Sequence, residues 1–523
     1  MGRFLRILSM CCGLAALCVT TSAQEITATV TGTVTDQSGA PLPGATVIAR
    51  HLGRGITQEV TTSKTGLYTL PFLATGEYEI AISMPGFKTY TAKNIALHVN
   101  DRFDLSASLK IEGLETSIEV SAGSQLIQQT PGVQNLMGAT QVQELPLNNR
   151  NFVQLATLVP GVSSDLGDEV GIGLTSTVSI SINGSRRNAV NWLLDGASNV
   201  DVGSNITLLS TPTVDSIEEF KIITSSYSAE WPRSGGGVVN VVTKSGSNVF
   251  RGSAYEYFRD DSLNSNAYFR KQSSDPLIRD HAPALDYHNF GFTFGGPIMK
   301  DKFFFFYSQE WRNISRAPAN LSATVPDPNW LTDPTSTNYV APAQRDPNAV
   351  RLLAAWPQPN VPGANRYLSN SPADQDTRQE VVRLDYTLSQ KWRLMGRYTN
   401  DLSKTVEVGG LFFGTAVPNV ATTQTKVPGQ VAVLQATTSI NAHTVNEFTF
   451  QFSSNQIGTT NPDGTKNKRA DYGLTVPEIF SSNPGGIIPT VGITGLTSIG
   501  SAQLYNIEYK NFTLADNLSA VRG

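Results

Sequence analysis

A period of two, not 3.6, governs the apolar residues over most of this 523-residue chain. Val382, Leu384, Tyr386 and Leu388 alternate with Arg383, Asp385 and Thr387, and Ala28 to Thr35 alternates in the same way. Successive side chains of a strand point to opposite faces, so this pattern predicts strands with one polar and one apolar face. The alternating segments are short and are separated by Gly, Pro, Asn and Asp, while amphipathic helical periodicity is scarce. The expected class is therefore mainly β, and the length predicts more than one domain. Beyond the first 23 residues no apolar run reaches the 18 or so residues that a membrane-spanning helix needs, so none is expected.

The N-terminus reads as a targeting segment, residues 1–23. Arg3 and Arg6 precede a mostly apolar stretch from Ile7 to Val19, and Thr21-Ser22-Ala23 supplies small residues for cleavage before Gln24. That order is the pattern of a secretory signal peptide. A second reading is a lipoprotein signal ending at Cys18, which Leu17 fits poorly. All three cysteines, Cys11, Cys12 and Cys18, lie in this segment. The exported remainder would then have no disulfide, Cys-based zinc site or Cys nucleophile. It would carry 37 basic against 43 acidic residues, since Arg3 and Arg6 leave with the signal. No basic block stands out, so nucleic acid is not an expected partner.

Residues 25–110 form the first expected domain. Strands are predicted at Ala28–Thr35, Pro41–Ala49, Gln58–Thr62, Gly66–Leu70, Gly76–Ser83 and Asp104–Leu109, a spacing that suggests a small β-sandwich. The run from Gly32-Thr33-Val34-Thr35-Asp36 through Pro41-Leu42-Pro43-Gly44-Ala45-Thr46-Val47 to Pro85-Gly86-Phe87-Lys88 resembles the carboxypeptidase regulatory-like domain. The resemblance implies an immunoglobulin-like sandwich grouped with carbohydrate-binding-like folds. Peptidase chemistry would need clustered zinc ligands. His51, His98, His281, His288 and His443 are scattered without such spacing, so no metal site, catalytic residue or cofactor is expected.

Residues 111–247 carry a series of ordered motifs. Glu115-Thr116-Ser117-Ile118-Glu119-Val120 resembles the TonB box that precedes the plug of TonB-dependent receptors. Such a box works by strand addition to a partner; an ordinary strand is the competing reading. Leu145-Pro146-Leu147-Asn148-Asn149-Arg150-Asn151-Phe152 resembles an Oar-like plug signature, with Asn149 where the family has Gly. Asn tolerates positive φ, so a left-handed turn at Asn149 is expected to survive. Trp192-Leu193-Leu194-Asp195-Gly196 and the segment from Tyr227 through Gly235-Gly236-Gly237 to Asn248 match further plug elements. No Gly-Lys-Ser/Thr follows the glycine triplet at phosphate-loop spacing, so its expected role is close packing beside a strand. Arg186, Arg187, Glu218, Glu219, Glu230 and Arg233 suit either charged contacts between plug and barrel wall or a solvated surface.

Residues 248–523 offer eight long strand candidates: Arg251–Arg259, Asn289–Gly295, Lys302–Arg312, Glu380–Leu388, Trp392–Asn400, Gln430–Ile440, Thr444–Ser453 and Tyr505–Leu518. Apolar-out, polar-in alternation with aromatics near strand ends (Phe303 to Tyr307, Trp311, Trp392, Tyr398) favours a transmembrane barrel, although a soluble sandwich alternates similarly. The polar stretches Ala317–Asp376 and Asp401–Val427 fit long external loops. Asn289 to Phe306 resembles an Oar-like barrel hairpin. Barrels of this family have about 22 strands. Eight candidates therefore predict an incomplete barrel, in a fragment or a truncated gene product.

The resulting expectation is a β-sandwich, an α+β plug and an incomplete transmembrane β-barrel, exported to the cell outer membrane. The resemblance implies a TonB-dependent receptor that takes up a large or scarce solute, a siderophore, vitamin-like compound, glycan or peptide. Its implied partners are the TonB energy-transducing complex and outer-membrane lipid, and among the solutes the sandwich favours carbohydrate. The alternative is a surface adhesin or structural binding protein built on the same β architecture.

Overall fold

The computed structural model describes residues 27–111, 117–121, 127–128, 132–147, 149–164, 180–202, 207–227, 235–274, 276–316, 321–369, 373–409, 417, 420–441, 444–478, 483, 486–501 and 504–520. The expected signal segment, Glu115, Thr116, Asn148, Glu230 and Arg233 lie outside these residues.

The N-terminal strands are β1 (Ala28–Asp36), β2 (Thr46–His51), β3 (Thr57–Thr61), β4 (Leu67–Leu73), β5 (Gly76–Ser83), β6 (Thr89–Leu97), β7 (Arg102–Asp104), β8 (Ala107–Leu109), β9 (Ser117–Ser121) and β10 (Ile127–Gln128). They form two sheets, β10-β7-β1-β4 with β8 also on β1, and β3-β2-β5-β6-β9. The alternation of β1 buries Ala28, Val30 and Val34 against Leu70, Ile80, Ile82 and Ile95. Burying each such side chain contributes roughly 1.5–3 kcal/mol. The sequence pattern misses β6, and the cause is local. Asn94 takes positive φ (59°) and the β5–β6 register shifts nearby, so burial passes from Tyr90 and Ala92 to Ile95 and Leu97. One extra residue breaks the period of two.

The strand expected over Asp104–Leu109 is two short ones. β7 and β8 both pair in parallel with β1, and Leu105 crosses between them over Gly32. The Leu105 carbonyl accepts from the Tyr68 hydroxyl at 2.6 Å.

The middle domain contains β11 (Val133–Gly138), β12 (Val162–Ser164), β13 (Ile180–Ile182), β14 (Val190–Leu194), β15 (Ala197–Ser198), β16 (Ile217–Ser225) and β17 (Gly237–Thr243). Its main sheet runs β11-β16-β17-β14-β15, flanked by a short helix, Ala139–Glu144, and a 3₁₀ turn, Phe152–Leu158. Every residue of β17 is buried. Phe152 meets Trp192 and Phe220 edge-on at 6.3 and 6.1 Å, with Ile222, Val239 and Val241 completing the core.

An eight-stranded antiparallel meander follows. A separate two-stranded ladder, β21 (Leu321–Thr324) with β22 (Arg366–Ser369), sits within one of its connections. The meander strands are β18 (Arg251–Asp260), β19 (Leu285–Met299), β20 (Phe303–Arg316), β23 (Ala373–Thr387), β24 (Trp392–Glu407), β25 (Thr423–Asn441), β26 (Thr444–Thr460) and β27 (Asn506–Ala520), paired in that order. All eight sequence candidates are strands, most of them longer than the pattern indicates. The stretch Asp401–Val427, expected as a loop, is strand at both ends: β24 runs to Glu407 and β25 starts at Thr423. These extensions are rich in Thr, Ser, Lys and Gln, so hydropathy does not mark them, yet their ladder is continuous. The sheet is open, with the outer edges of β18 and β27 unpaired among the described residues.

In β23, Gln375, Thr377, Gln379, Val381 and Arg383 point to the covered face, while Leu384 lies exposed on the other. The Phe303–Tyr307 run divides between the faces. Phe304 and Phe306 are buried, whereas Phe303 and Phe305 alternate with them on the outer face. The turns β19–β20, β23–β24 and β25–β26 are short and share one end of the sheet, and all the long connections lie at the other. At the long-connection end, Ala323, Val325, Trp356, Ile488 and Ile499 pack into a small core of their own.

A Cβ at Gly32 would stand 2.2 Å from the Leu105 carbonyl oxygen, a contact with backbone that no rotamer relieves. Gly32→Val is expected to destabilise the sandwich by about 1–3 kcal/mol through this overpacking. Thermal unfolding followed by limited proteolysis of the sandwich checks it; an unchanged midpoint would refute the close-approach account.

Candidate functional site

Two residues close the turn between β14 and β15, Asp195 (φ 46°) and Gly196 (φ 73°). Positive φ at both central positions is the type I′ arrangement that Asp-Gly suits. The turn drives the Asp195 side chain out of the middle domain and into the covered face of the eight-stranded sheet, where it is 0% exposed.

Four donors meet that carboxylate. Within the middle domain, the Thr243 amide donates to Oδ1 at 2.8 Å and the Thr243 hydroxyl to Oδ2 at 2.8 Å. From the sheet, Arg383 Nη1 donates to Oδ1 at 3.1 Å and Arg397 Nη1 to Oδ2 at 2.8 Å. An ionised carboxylate accepts about four such bonds, so its capacity is filled. Arg383 is held from behind by Asp385 in a two-pronged pair, 3.0 Å on each arm, and also donates to the Thr243 carbonyl at 2.8 Å. Gln435 Nε2 donates to the Asp195 carbonyl at 3.2 Å.

The seam continues on both sides. The buried segment Thr207–Thr213 runs along β24 and β25, its Thr211 amide donating to Asp401 at 2.5 Å while Gln379 donates to the Thr211 carbonyl at 2.6 Å. Gly429 admits this segment, since a Cβ there would lie 2.1 Å from the Leu209 carbonyl oxygen. Asn455 Nδ2 donates to Asp201 at 3.1 Å and Gln451 Nε2 to the Ser198 carbonyl at 2.7 Å. Towards β18, Arg150 pairs with Asp215 and lies over the Tyr257 ring at 4.0 Å, a cation–π contact. Arg259 Nη1 donates to Asn149 Oδ1 at 2.8 Å.

Several sequence-singled residues meet here, and several do not. Leu145 packs on the middle-domain core, and Pro146 follows it after the helix Ala139–Glu144. Asn151 caps the 3₁₀ turn, accepting from the Val153 amide at 3.1 Å, and Phe152 is its buried anchor. The left-handed residue of this motif is Arg150 (φ 49°), not Asn149 as expected; Asn149 instead faces the sheet. Gly235 and Gly236 precede β17 and Gly237 opens it; a Cβ on Gly236 would lie 2.1 Å from Ser185 Oγ. Ser117, Ile118, Glu119 and Val120 lie in β9, parallel to Thr89–Ala92 of β6.

The charges expected either at the wall or on a solvated surface divide between the two. Arg186 and Arg187 lie exposed. Burial raises Glu218 above the usual carboxylate range, opposed by Lys244, Arg54 and, from the sheet, Arg383. Glu219 turns to the sandwich, accepting from the Val99 amide at 2.9 Å and meeting His98 Nδ1 at 2.7 Å. Beside it Lys221 Nζ donates to the Val99 carbonyl at 2.5 Å and pairs with Asp101 at 3.2 Å. Burial pulls Lys221 below the usual lysine range, opposed by Asp101. Arg383, Arg397, Gln379, Asp401 and Gln435 were missed as partners. Their inward positions follow from alternation, but no sequence signal pairs Arg383, Arg397 and Gln435 with Asp195, or Gln379 and Asp401 with Thr211, each 168–240 residues upstream.

The sandwich sits at the short-turn end of the sheet. Arg393 donates to the Phe72 carbonyl and to Gln58 Oε1, both at 2.7 Å, and Asn248 bridges Asp301 and the Arg54 carbonyl at 2.6 Å each. These contacts border a cavity of about 100 Å³ lined by His51, Tyr78 and Arg393. Burial holds His51 down to about 4, so it is neutral near pH 7.

An open meander with a polar inner face, an apolar outer face and a domain seated on the polar side is the plan of an outer-membrane barrel protein. Residues 242–523 match the outer membrane beta barrel domain and residues 29–110 the carboxypeptidase regulatory-like domain. The chain belongs to the outer membrane beta barrel family, and its place is the cell outer membrane. It is similar to the TonB-dependent transporter Oar of Myxococcus xanthus, 31% identical over 295 residues, which cover 53% of this chain and 26% of that protein. The chain thus spans about a quarter of that relative's length. Among solved structures, the outer membrane transporter YddB from Escherichia coli aligns with TM-score 0.46 and 14% identity over 75% of this chain and 46% of that one. The siderophore receptor PirA from Acinetobacter baumannii aligns with TM-score 0.39 and 12% identity over 62% and 40%.

Removing the carboxylate alone leaves the buried Arg397 guanidinium without its anion and Arg383 with Asp385 only. Asp195→Ala is expected to cost about 3–5 kcal/mol, read as release of the middle domain at lower urea concentration, with Asp195→Glu recovering only part. A second outcome concerns pH. The hydrogen bond to Glu219 raises His98 above its ordinary value of 6.5. Its contribution is therefore complete below about pH 6.5 and is lost as pH rises through the raised folded value. His98→Gln should flatten that part of the stability profile, and an unaltered slope would exclude the pair as its source.

Proposed function

We propose that this chain is the N-terminal portion of a TonB-dependent outer-membrane transporter in which the middle domain is the plug. The observation that carries this reading is the Asp195 seam. A domain held to the polar face of a membrane sheet mainly by buried ion pairs and hydrogen bonds, with only a small apolar patch of Ala197, Leu209 and Val242 against Met395, Val431 and Val433, can be displaced without exposing a large greasy surface. A plug that must open and reseat needs an interface of that kind.

The Glu115–Val120 segment is the proposed TonB box. Its described part is β9, the last strand of its sheet, whose outer edge keeps unpaired backbone groups among the described residues. A strand-adding partner uses such an edge. The solute is a large or scarce compound entering from the long-connection side. The sandwich contacts the opposite, short-turn end, so its carbohydrate-binding-like fold gives no reason to prefer a glycan over a siderophore, peptide or vitamin-like compound. No feature of the seam calls for the adhesin alternative.

The test is retention of the chain by an immobilised periplasmic domain of TonB. Deleting residues 114–122 should abolish binding, and Ile118→Pro should weaken it by about tenfold, because proline removes a strand donor. Full retention by the deletion variant would sink the TonB-box assignment.

A further inference from the structure

On the outer face of the sheet, near the long-connection end, Lys404 of β24 and Lys426 of β25 stand directly opposite each other in register. Both side chains are exposed and point outward. Like charges in a directly opposed cross-strand pair repel. Among the described residues, neither lysine has an ion-pair partner within 4 Å. Asp376, opposite Lys404 on its other side, is engaged by Asn313 Nδ2 at 2.8 Å. Arg378 flanks the pair and contacts Glu380, whose second oxygen accepts from Asn400 at 3.1 Å.

A groove of about 410 Å³ opens at this point, lined by Trp311, Arg378, Leu402, Lys404, Lys426 and Pro428 and, beside Lys404, by the Asp376 carboxylate. Its shape has a backbone cause. The β25–β26 ladder is interrupted, in unchanged register, between Lys426↔Gly458 and Gly429↔Asn455, leaving Val427 and Pro428 without ladder partners on that side. Proline has no amide hydrogen to offer the ladder, and Gly458 beside Lys426 has no side chain to fill the space.

Depth along the strand decides what the groove meets. Below Lys404, the outward residues of β24 are Leu402, Asn400, Tyr398, Gly396, Leu394 and Trp392; the neighbouring strands supply Tyr307, Val382, Leu384, Leu434 and Phe450. A polar row of Glu380, Asn400 and Gln430 lies between Leu402 and the apolar residues below it. From Trp392 to Lys404 the strand climbs about 30 Å at roughly 3.3 Å per residue and a tilt near 40°, against an apolar band of about 25 Å. The lysines therefore stand just beyond the band, at headgroup level on the external side, with the apolar lower wall (Trp311, Leu402, Pro428) facing acyl chains.

We propose that this groove binds the phosphate of an outer-leaflet lipid headgroup, held between Lys404 and Lys426 with Arg378 beside them, while the lipid's chains lie on the wall below. An anion between the lysines removes their repulsion, and an acyl chain covers the apolar wall that Trp311, Leu402 and Pro428 give the groove.

The experiment uses the full chain in neutral detergent, titrated with phosphatidic acid, phosphatidylcholine or inorganic phosphate, and reads the melting temperature and lipid retention by native mass spectrometry. Phosphatidic acid should raise the melting temperature and remain bound. Lys404→Gln/Lys426→Gln should weaken that binding roughly tenfold or more, at about one basic residue's membrane-surface attraction each. Equal effects of phosphatidylcholine would overturn the proposal, as would an equal shift with inorganic phosphate, which would mark a free-anion site. Unweakened retention by the double variant would also overturn it. Should that variant fail to fold, the wild-type titration decides alone: affinity for phosphatidic acid must fall as potassium chloride rises, and salt-independent affinity sinks the idea.

Discussion

The buried carboxylate of Asp195 is the constraint around which the other parts are arranged. A charge with no exposed surface needs donors on every lone pair, and half of them come from Thr243 and half from Arg383 and Arg397. Thr243 ends β17, the last strand of the middle domain, and the chain enters the eight-stranded sheet at Arg251. The same carboxylate therefore ties together the exit of one domain, the β23–β24 hairpin of the next and the turn that joins β14 to β15. Its value lies in orientation more than in net stability, because desolvating three charges consumes much of what their attraction supplies.

The eight-stranded sheet satisfies two solvents with one pattern. Outward positions carry Phe305, Leu384 and Leu434 for lipid; inward positions carry Gln379, Arg383, Arg397 and Gln435 for the seam. The pleat alone separates these sets, and a slip of one residue would exchange them. The outward set turns polar from Glu380, Asn400 and Gln430 upward, and Lys404 and Lys426 stand above that row, beyond the apolar band.

Much of this was legible before any coordinates, and the failures have identifiable causes. The eight meander strands follow from alternation because lipid on one side and a polar domain on the other enforce it over long runs. β6 escaped because the bulge at Asn94 changes the phase of burial halfway along. The extensions of β24 and β25 escaped because both faces are polar there, so hydropathy carries no period. Asp195-Gly196 was recognisable as a motif and its turn follows from residue chemistry. Of the charges expected either at the wall or on a solvated surface, Arg186 and Arg187 lie exposed, Glu219 serves the sandwich, and Glu218 feels Arg383 of the sheet.

The residue order by itself determined the mainly β class, the succession of three β units, the two-faced character of the last one and the family resemblance of the motifs. These depend on neighbours in the chain, through side-chain alternation and turn propensity. Only the tertiary structure decided which charges meet: Asp195 with Arg383 and Arg397, Glu219 with His98, Arg393 with the sandwich, and Lys404 against Lys426. Such pairs join residues that sequence spacing leaves unrelated, and their selection rests on sheet register and domain placement. A buried charge accepts whichever partners those two settle within reach.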